Sequence, residues 1–464
     1  MTSSMPRVGV VLGIDIGSTN TKVAALDETG AVVARASLPT PRDPQDRSID
    51  ASDLFNTIET MIIEACGDRY AVQAVAAAGV GEDGILVDQA RMPLVPAMAW
   101  FDPRRAEIFA SLEPNLPTAA GIGVATDPSR TLSGWAWAMR QAGSELASSW
   151  IALTDYAACR WSETVFMSDT LASRTAAWDV KQHEWVAERV IASLGSLKLL
   201  GPVLRAGDIV GPLISKRLTE AGLLSDDAVV VVGGHDHPIG GWGVDQMHPG
   251  AILDSMGTAE VVVAQSRKPW TIGGGRVDVS PGIRSIGTTL LCVAELSRNI
   301  YWASGDEAVG SALRRIIAGS LAPDDNISGD YFLPGGQGGI APRFRTDAPA
   351  NPVSRASSVA GALSRLGATA VRAVVDEMPP NAPIYVTGGW ARAQGWLNIK
   401  RALSPTEIQV IAEPEVTAVG AALLAGNAIG WKLPAQTALG GPAQRVQEAK
   451  SDRRVKRLYM GTGT

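Results

Sequence analysis

The sequence predicts an α/β protein of two domains. The chain has 464 residues, of which 46% are hydrophobic, and single hydrophobic cores stop growing beyond ~250–300 residues. Three strand-like runs open the chain, and alternating helical and strand patterns follow, which favours a mixed sheet with helices packed on it. A similar order of patterns restarts after the middle of the chain, as a weak repeat of pattern without repeat of identity. We therefore predict one domain at residues 1–243 and a second at residues 244–464.

The first half begins with an antiparallel meander. The apolar run Val8–Ile16 predicts a buried strand, and residues 22–26 and 31–37 predict two more, each separated from the last by a short polar turn. Leucine and isoleucine recur at helical spacing over Ala51–Cys66, which predicts a helix. The alanine-rich run at 72–80 predicts a further strand.

The second half repeats this plan. Predicted strands at 251–255 and 259–265 flank the pair Gly257-Thr258, as the first two strands flank the turn at 17–21. The remaining predicted elements are a long helix at 354–378, strands at 384–387 and 408–411, helices at 396–403 and 416–429, glycine-rich loops at 273–275 and 335–339, and a charged surface helix or tail from residue 444.

Composition excludes several functions. The net charge is −6 and no run of lysine or arginine occurs, so a nucleic-acid groove is not predicted. Cys66, Cys159 and Cys292 lie far apart, which favours buried, reduced thiols over a zinc site or a disulfide framework. The apolar run at 8–12 is too short for a signal peptide or a membrane span, so we expect a cytoplasmic protein without membrane contact.

The central stretch, residues 233–243, holds one acid, Asp236, between His235 and His237 and among five glycines. It follows a purely apolar run at 228–232, which predicts a buried strand. An α/β protein places catalytic groups at such strand ends, and glycine lets a ligand approach the backbone. The alternative is a solvated acid in a tight turn. A metal held by the two histidines also remains open, although rings that bond locally are favoured.

Two strand–turn–strand segments have the composition of phosphate-binding hairpins. In the first, Asp15 precedes and Lys22 follows a turn built from Gly17, Ser18, Thr19 and Asn20. Main-chain N–H groups and hydroxyls at such a turn can surround a phosphate, and Asp15 can hold Mg²⁺ through water. The Walker A spacing is absent, and an ordinary hairpin is the alternative. Gly257-Thr258 forms the corresponding turn of the second half, and Gly388-Gly389 would admit an adenine or ribose close to the backbone.

Two further segments suit a small polar ligand. Trp100 can form an apolar wall, while Asp102 and Arg104 can bond hydroxyl groups; the alternative is a surface ion pair beside a core tryptophan. Glu82 and Asp83, flanked by glycines between two predicted strands, form either a second hydroxyl-binding loop or a hairpin turn.

Taken in order, these segments resemble the FGGY carbohydrate kinases, the group that contains xylulokinase, glycerol kinase and ribulokinase. The resemblance covers residues 8–430. It rests on the first hairpin, the Trp100-x-Asp102-x-Arg104 segment, the helical region with Ser168-Asp169 and Trp178-Asp179, the Gly234-x-Asp236 stretch, Ser255-Met256-Gly257-Thr258, and Thr387-Gly388-Gly389 followed by the small-residue helix.

The resemblance implies two actin-like (ribonuclease-H-like, ASKHA) domains with a catalytic cleft between them, Mg-ATP as phosphoryl donor, and a sugar or polyol hydroxyl as acceptor. It further implies the following roles. Asp236 is the general base; Glu82, Asp83, Trp100, Asp102, Arg104, Asp236 and His237 bind the acceptor; Gly17, Ser18, Thr19, Asn20, Lys22, Gly257, Thr258, Gly388 and Gly389 bind ATP; Asp15 and Asp236 face the metal ion.

The chain departs from the family at its acceptor loop, because Gly81-Glu82-Asp83-Gly84 stands where xylulokinases carry Gln-Met-His-Gly and glycerol kinases carry Arg-Glu. An acidic pair suits an uncharged polyhydroxy substrate, so we expect a small ketose or polyol of the pentulose or tetrulose class. Two other functions remain as alternatives: an ATPase switch like actin or the heat-shock chaperones, and a catalytically silent binding protein. The oligomeric state stays open, with a homodimer as one option.

Overall fold

A computed structural model describes residues 7–269, 276–284, 287–336 and 341–440 of the chain. These residues form two compact units. Unit 1 consists of Met1–Met247, Gln265–Thr289 and Glu415–Leu439, and unit 2 consists of His248–Ala264, Leu290–Pro414 and Gly440–Thr464. The domain boundary expected at residue 243 stays a prediction. The glycines at 273–275, part of the 335–339 segment and the charged segment from 444 lie outside the described residues.

The elements of unit 1 alternate between strands and helices. They are β1 (Val8–Ile16), β2 (Asn20–Leu26), β3 (Val32–Pro39), α1 (Ala51–Cys66), β4 (Tyr70–Gly79), β5 (Gly84–Val87), α2 (Arg104–Leu112), α3 (Thr131–Ala138), β6 (Ser149–Ala152), α4 (Leu153–Ser162), β7 (Met167–Ser168), α5 (Asp169–Ala172), β8 (Trp178–Asp179), β9 (Glu184–Trp185), α6 (Ala187–Leu194), β10 (Val203–Leu204), β11 (Ile209–Pro212), α7 (Lys216–Glu220), β12 (Leu224–His235) and α8 (Asp236–Met247).

The six-stranded sheet of unit 1 has the order β11-β12-β4-β1-β2-β3. Strands β1, β2 and β3 form the predicted antiparallel meander, which is confirmed, and β4 runs parallel to both β1 and β12. Residues 10–16 of β1 are all buried, because helices cover both faces of the sheet and leave no solvent side for polar residues.

One covering helix comes from late in the chain. The small-residue helix α13 (Val416–Ala428), in sequence order after the elements of unit 2, packs on β1. A Cβ atom at Gly13 would lie 1.8 Å from the Ala418 carbonyl oxygen, so only glycine lets the helix lie directly on the strand. The small residues of this helix therefore serve close packing against the sheet.

The glycine-rich stretch at 233–243 predicts a loop around Asp236, and this prediction is wrong. Strand β12 continues through His235, and helix α8 begins at Asp236. Glycine costs about 1 kcal/mol in a helix, which makes the sequence look like a loop. Tertiary packing outweighs that cost, because a Cβ at Gly243 would lie 3.1 Å from the Gly420 Cα in α13. The glycines of α8 therefore allow two helices to pack closely.

Unit 2 has its own sheet, in which β16 (Thr288–Glu295), β14 (Ala259–Ser266), β13 (Ile252–Met256), β19 (Ile384–Thr387) and β20 (Ile408–Val410) lie side by side in that order. The predicted hairpin of β13 and β14 is confirmed as antiparallel. The other elements that follow α8 are α9 (Ser297–Ala303), α10 (Glu307–Ala318), β17 (Phe332–Leu333), β18 (Arg343–Phe344), α11 (Pro352–Val375) and α12 (Gln394–Leu403), with β15 (Asp278–Pro281) and α14 (Ala435–Ala438) in unit 1.

Helix α11 confirms the long predicted helix, although it ends three residues before the expected 378. Asn351 accepts main-chain hydrogen bonds from Val353 and Ser354 and so caps the helix. All three cysteines are buried, as expected. Among the described residues, no helix is both long and apolar enough to cross a membrane.

Candidate active site

The candidate residues of unit 1 gather at one edge of its sheet. Strands β1, β4 and β12 are parallel, so their carboxyl ends meet at the same edge, where open α/β sheets bind ligands. Asp15 lies near the end of β1, Glu82 and Asp83 follow β4, and Asp236 follows β12.

Asp236 is held by both of its histidine neighbours. Its Oδ1 atom lies 2.6 Å from Nδ1 of His237 and 3.2 Å from Nε2 of His235, and it accepts the main-chain N–H of His237 at 2.7 Å. Burial opposes ionisation, but the His237 and His235 rings lower the pKa of Asp236 far below its ordinary value. The side chain is 19% exposed. It is therefore an ionised acid that a ligand can reach.

The two histidines differ in charge. Burial lowers the pKa of His235 to about 4, so this ring is neutral. Burial also acts against protonation of His237, but the Asp236 carboxylate outweighs it and raises the pKa of His237. The rings bond locally to Asp236, as the favoured alternative predicted. The three ligand atoms also lie within 4.8 Å of one another, close enough to share a cation.

Asp15 lies in an acid-rich group with one lysine. Lys22 pairs with Glu415 at 2.6 Å and with Asp15 at 3.7 Å. Burial raises the pKa of Asp15 to about 7, and the charges of Asp236 and Glu415 act in the same direction against that of Lys22. The structure thus brings Asp15 and Asp236 within electrostatic reach, and a cation placed there would favour the ionised form of both.

The first hairpin turn contacts the tryptophan of the acceptor segment. Trp100 Nε1 donates to the Ser18 hydroxyl at 3.2 Å. Arg42 Nε donates to the Ser18 carbonyl at 2.8 Å, and the turn closes through the Gly17 N–H bond to the Asn20 carbonyl at 3.1 Å. Thr19 at the tip is exposed. The predicted phosphate turn and acceptor wall therefore share one surface.

Glu82 belongs to a buried ion network. Its carboxylate lies 2.7 Å from Nη2 of Arg174 and 3.7 Å from Nη1 of Arg130, and both arginines also pair with Asp278. Burial works against ionisation of Glu82, but Arg174 holds its pKa below the ordinary value. The charge of Glu82 is thus already balanced by protein groups.

Asp83 is buried differently. Its two carboxylate oxygens have no hydrogen-bond partner among the described residues, and the Arg105 guanidinium lies 3.6 Å away. Burial raises the pKa of Asp83 to about 6, and the charges of Arg105 and Arg42 oppose this rise. The main-chain N–H of Trp100 also lowers the pKa, although it does not form a hydrogen bond with the carboxylate. The alternative of a hairpin turn here is wrong, because β5 pairs with β6 and not with β4.

Asp102 and Arg104 satisfy each other. The Asp102 carboxylate accepts from Arg104 Nε at 3.0 Å, from Nη2 at 2.6 Å and from the Arg104 main-chain N–H at 2.9 Å. Arg104 also reaches Asp46 at 3.3 Å. The arginine is nearly half exposed, at 45% of its side chain, so the pair orders the start of α2 at the protein surface.

In unit 2 the predicted nucleotide residues form a second cluster. Gly257 and Thr258 make the turn between β13 and β14, and Gly388-Gly389 follow β19 directly. A Cβ atom at Gly388 would lie 2.3 Å from the Met256 carbonyl oxygen, and its φ is +92°. Only glycine therefore lets this segment lie against the turn.

The sequence interpretation missed several charged residues of the site: Arg42, Arg105, Arg130, Arg174 and Asp278. One of them had a signal. Arg105 shares the buried face of α2 with Ile108, Phe109 and Leu112 at helical spacing, which places a charge inside the fold. Arg42 follows β3 in a proline-containing segment without periodicity and had no such signal.

Comparison with known proteins identifies the family. The family model for the N-terminal domain of the FGGY family of carbohydrate kinases matches residues 10–243, half of the chain. The chain belongs to the FGGY family of carbohydrate kinases. The xylulose kinase of Streptomyces rubiginosus is 26% identical over 449 residues, which cover 92% of this chain and 90% of that protein. The L-fuculokinase of Escherichia coli is 25% identical over 64% of this chain and 66% of its own length.

Solved structures share the fold. The xylulose kinase of Rhodospirillum rubrum matches with a TM-score of 0.79 and 18% identity over 97% of this chain and 96% of that one. The gluconate kinase of Lactobacillus acidophilus matches with a TM-score of 0.77 and 17% identity over 94% and 92%. The FGGY chain thus has the expected two-domain actin-like α/β fold and is an ATP-dependent phosphotransferase acting on a sugar hydroxyl. An ATPase switch without an acceptor finds no support.

Proposed function

We propose that this FGGY kinase transfers the terminal phosphoryl group of Mg-ATP to a hydroxyl of a small uncharged ketose or polyol, of the pentulose or tetrulose class. Residues 1–243 bind the acceptor and carry the base, and residues 244–464 bind the adenosine. The observation that carries the proposal is Asp236, an ionised and reachable carboxylate at the carboxyl edge of the sheet.

Asp236 is the general base of the proposal. Phosphoryl transfer depends mainly on positioning and charge stabilisation, and an aspartate orients the attacking hydroxyl and accepts its proton. The hydrogen bonds from His237 occupy Oδ1, which leaves Oδ2 for the substrate. His237 therefore fixes the orientation of the Asp236 carboxylate. In this proposal His237 also lies next to the bound acceptor.

The acid-rich edge fits a magnesium ion. Asp15 and Asp236 are oxygen donors of the type that Mg²⁺ prefers. Burial, together with the charges of Asp236 and Glu415, raises the pKa of Asp15, and a bound cation would favour its ionised form. A bound magnesium ion would neutralise charge on the transferring phosphoryl group. Lys22 is engaged by Glu415 and Asp15, so its contribution is to hold Asp15 in place.

Acceptor recognition falls to Asp83 and Arg42 in this proposal, together with the Trp100 wall. The carboxylate of Asp83 and Nη2 of Arg42 are buried without a hydrogen-bond partner among the described residues. Buried polar groups normally have partners, and a hydroxyl can accept from the guanidinium and donate to the carboxylate. Glu82, held by Arg174, supports this loop, while Asp102 and Arg104 order the segment that follows Trp100.

The test is an acceptor screen that follows ADP formation with pentuloses, tetruloses, their polyols and the matching sugar acids. We expect turnover with an uncharged member and a loss of about 10²- to 10⁴-fold in kcat for Asp236→Asn, because proton transfer then has no acceptor. Asp53→Asn makes the same change in the first turn of α1, where the carboxylate is exposed, and should leave kcat unchanged.

Two results would contradict the proposal. Turnover with sugar acids alone would remove the uncharged acceptor class. Full turnover by Asp236→Asn would remove the assigned base.

A further inference from the structure

The turn between β13 and β14 is clamped at a single carbonyl group. The Gly257 carbonyl oxygen accepts the Ser297 hydroxyl at 2.9 Å and the Trp390 indole N–H, also at 2.9 Å. Ser297 begins helix α9, and Trp390 lies in the 3₁₀ turn Gly389–Arg392 that follows Gly388. Both acceptor positions of this carbonyl are therefore filled by side chains from two different elements.

The clamp determines where the next N–H group points. A trans peptide unit is planar, and its C=O and N–H lie on opposite sides. Because the Gly257 carbonyl is fixed towards α9 and Trp390, the N–H of Thr258 faces the other way. Thr258 is exposed, and its N–H has no hydrogen-bond partner among the described residues. The turn thus offers one oriented main-chain donor, the type of group that binds a phosphate oxygen.

A close backbone contact supports the same arrangement independently of the hydrogen bonds. Gly388 approaches the Met256 main chain so closely that a Cβ atom would lie within 2.3 Å of the carbonyl oxygen. The Trp390 ring is half-buried and packs at 6.1 Å, centroid to centroid, against Trp396. Trp396 in turn donates to the Met256 sulfur at 3.3 Å. The indole of Trp390 is therefore held in place while it holds the turn.

We propose that Trp390 is a positioning residue for ATP, which joins the Gly388-Gly389 segment to the Gly257-Thr258 turn and aims the Thr258 N–H at a nucleotide phosphate. This inference rests on the proposed function in assigning both segments to the nucleotide. It adds a residue that neither the motif pattern nor the family comparison identifies. The Gly388-Gly389 segment and the Gly257-Thr258 turn are then one preorganised unit, so ATP binding does not have to order them separately.

The experiment compares Trp390→Phe with Trp302→Phe. The first removes the N–H that binds Gly257 and keeps an aromatic ring. The second makes the same change at Trp302, which is 40% exposed and packs against Phe332 and Phe344 rather than against the turn. Calorimetry measures the affinity of each variant for ADP with magnesium and for the best acceptor found in the screen. We expect Trp390→Phe to weaken ADP about three- to tenfold, the effect of one hydrogen bond, and to leave acceptor affinity unchanged. Trp302→Phe should leave both affinities unchanged.

Ser297→Ala provides a second variant with the smallest change in volume. It removes the other hydrogen bond to the Gly257 carbonyl and should also weaken ADP several-fold. The proposal is overturned if ADP binds Trp390→Phe and Ser297→Ala as tightly as the wild type, or if ADP and acceptor affinities fall together. Binding is measured without turnover. The test therefore applies even if the enzyme is inactive or if its general base is a residue other than Asp236. A wild-type protein that binds no ADP would instead refute the nucleotide assignment itself.

Discussion

The two hairpins look alike in sequence, but the charged groups of the first are partly exposed and those of the second are buried. In the first, Asp15 on β1 faces Lys22 on β2 across the ladder, and the lysine keeps 27% of its side chain exposed. In the second, Asp254 on β13 and Glu260 on β14 bind Lys400 of α12, and all three side chains are at most 2% exposed. One lysine belongs to the hairpin, and the other reaches it from a helix.

The difference shows what each aspartate does. Asp15 lies at the carboxyl edge beside Asp236, where its charge can act on a ligand. Asp254 is buried inside unit 2, where its charge acts on Lys400 and Glu260. An aspartate on the first strand of a hairpin therefore lies at the candidate site in one unit and within a buried ion network in the other.

The largest expected effect separates the two lysines. Lys400→Met leaves two buried carboxylates without their cation and should lower the free energy of unfolding by about 3–5 kcal/mol. Lys22→Met removes a partly exposed pair and should cost about 1 kcal/mol or less. Denaturant unfolding of both variants at pH 7 measures this. Equal losses would show that the two networks are equivalent after all.

For the two aspartates, we expect the larger loss of activity in the first hairpin. Asp15→Asn removes a proposed partner of the metal ion and should lower kcat/KM about 10- to 100-fold, with unchanged or higher stability, since the buried carboxylate no longer requires desolvation. Asp254→Asn should leave kcat/KM per folded molecule nearly unchanged. Steady-state kinetics with thermal unfolding as a control checks both. A kinetic loss in Asp254→Asn as large as in Asp15→Asn would contradict the assignment.

The second hairpin should also be recognisable by pH. Burial raises the pKa of Glu260 to about 7, assisted by the charge of Asp254 and opposed by Lys400. The folded state therefore keeps a proton that the unfolded state releases, so the stability due to Glu260 is complete below pH 4.5 and is lost as pH rises through about 7. Between pH 5 and 8 the wild type should lose about 1–3 kcal/mol more than Glu260→Gln. A loss as steep in the variant as in the wild type would show that the slope has another origin.

The smallest effect concerns the two turn glycines. A Cβ atom at Gly17 would lie 2.8 Å from the Asn20 carbonyl oxygen, whereas one at Gly257 would meet nothing within 4 Å. Gly17→Ala should therefore destabilise by about 1 kcal/mol, and Gly257→Ala by less than about 0.5 kcal/mol. Thermal unfolding of the two variants measures this difference. A larger loss in Gly257→Ala than in Gly17→Ala would contradict it and would mean that the first turn relaxes to accommodate the methyl group.

Prediction from sequence worked where a pattern is local. The run Val8–Ile16 forms β1 with the expected bounds, because a short apolar stretch bounded by polar residues is typical of a buried strand. It failed at residues 233–243, because the glycines that resemble a loop are helical in α8 and fit against α13. That helix lies nearly two hundred residues further along the chain, so no local pattern reports it.

The candidate site divides along the same line. The sequence alone determined which residue types can do the chemistry: Asp236 after an apolar strand, the hydroxyl-rich turn, and Trp100 with its polar neighbours. Tertiary structure decided which of these charges remain available. Glu82 meets Arg174 across 92 residues, Arg174 meets Asp278 across 104, and Lys400 meets Glu260 across 140. Strand and turn preferences act within about ten residues, whereas the pairing of a buried charge depends on which distant element packs beside it.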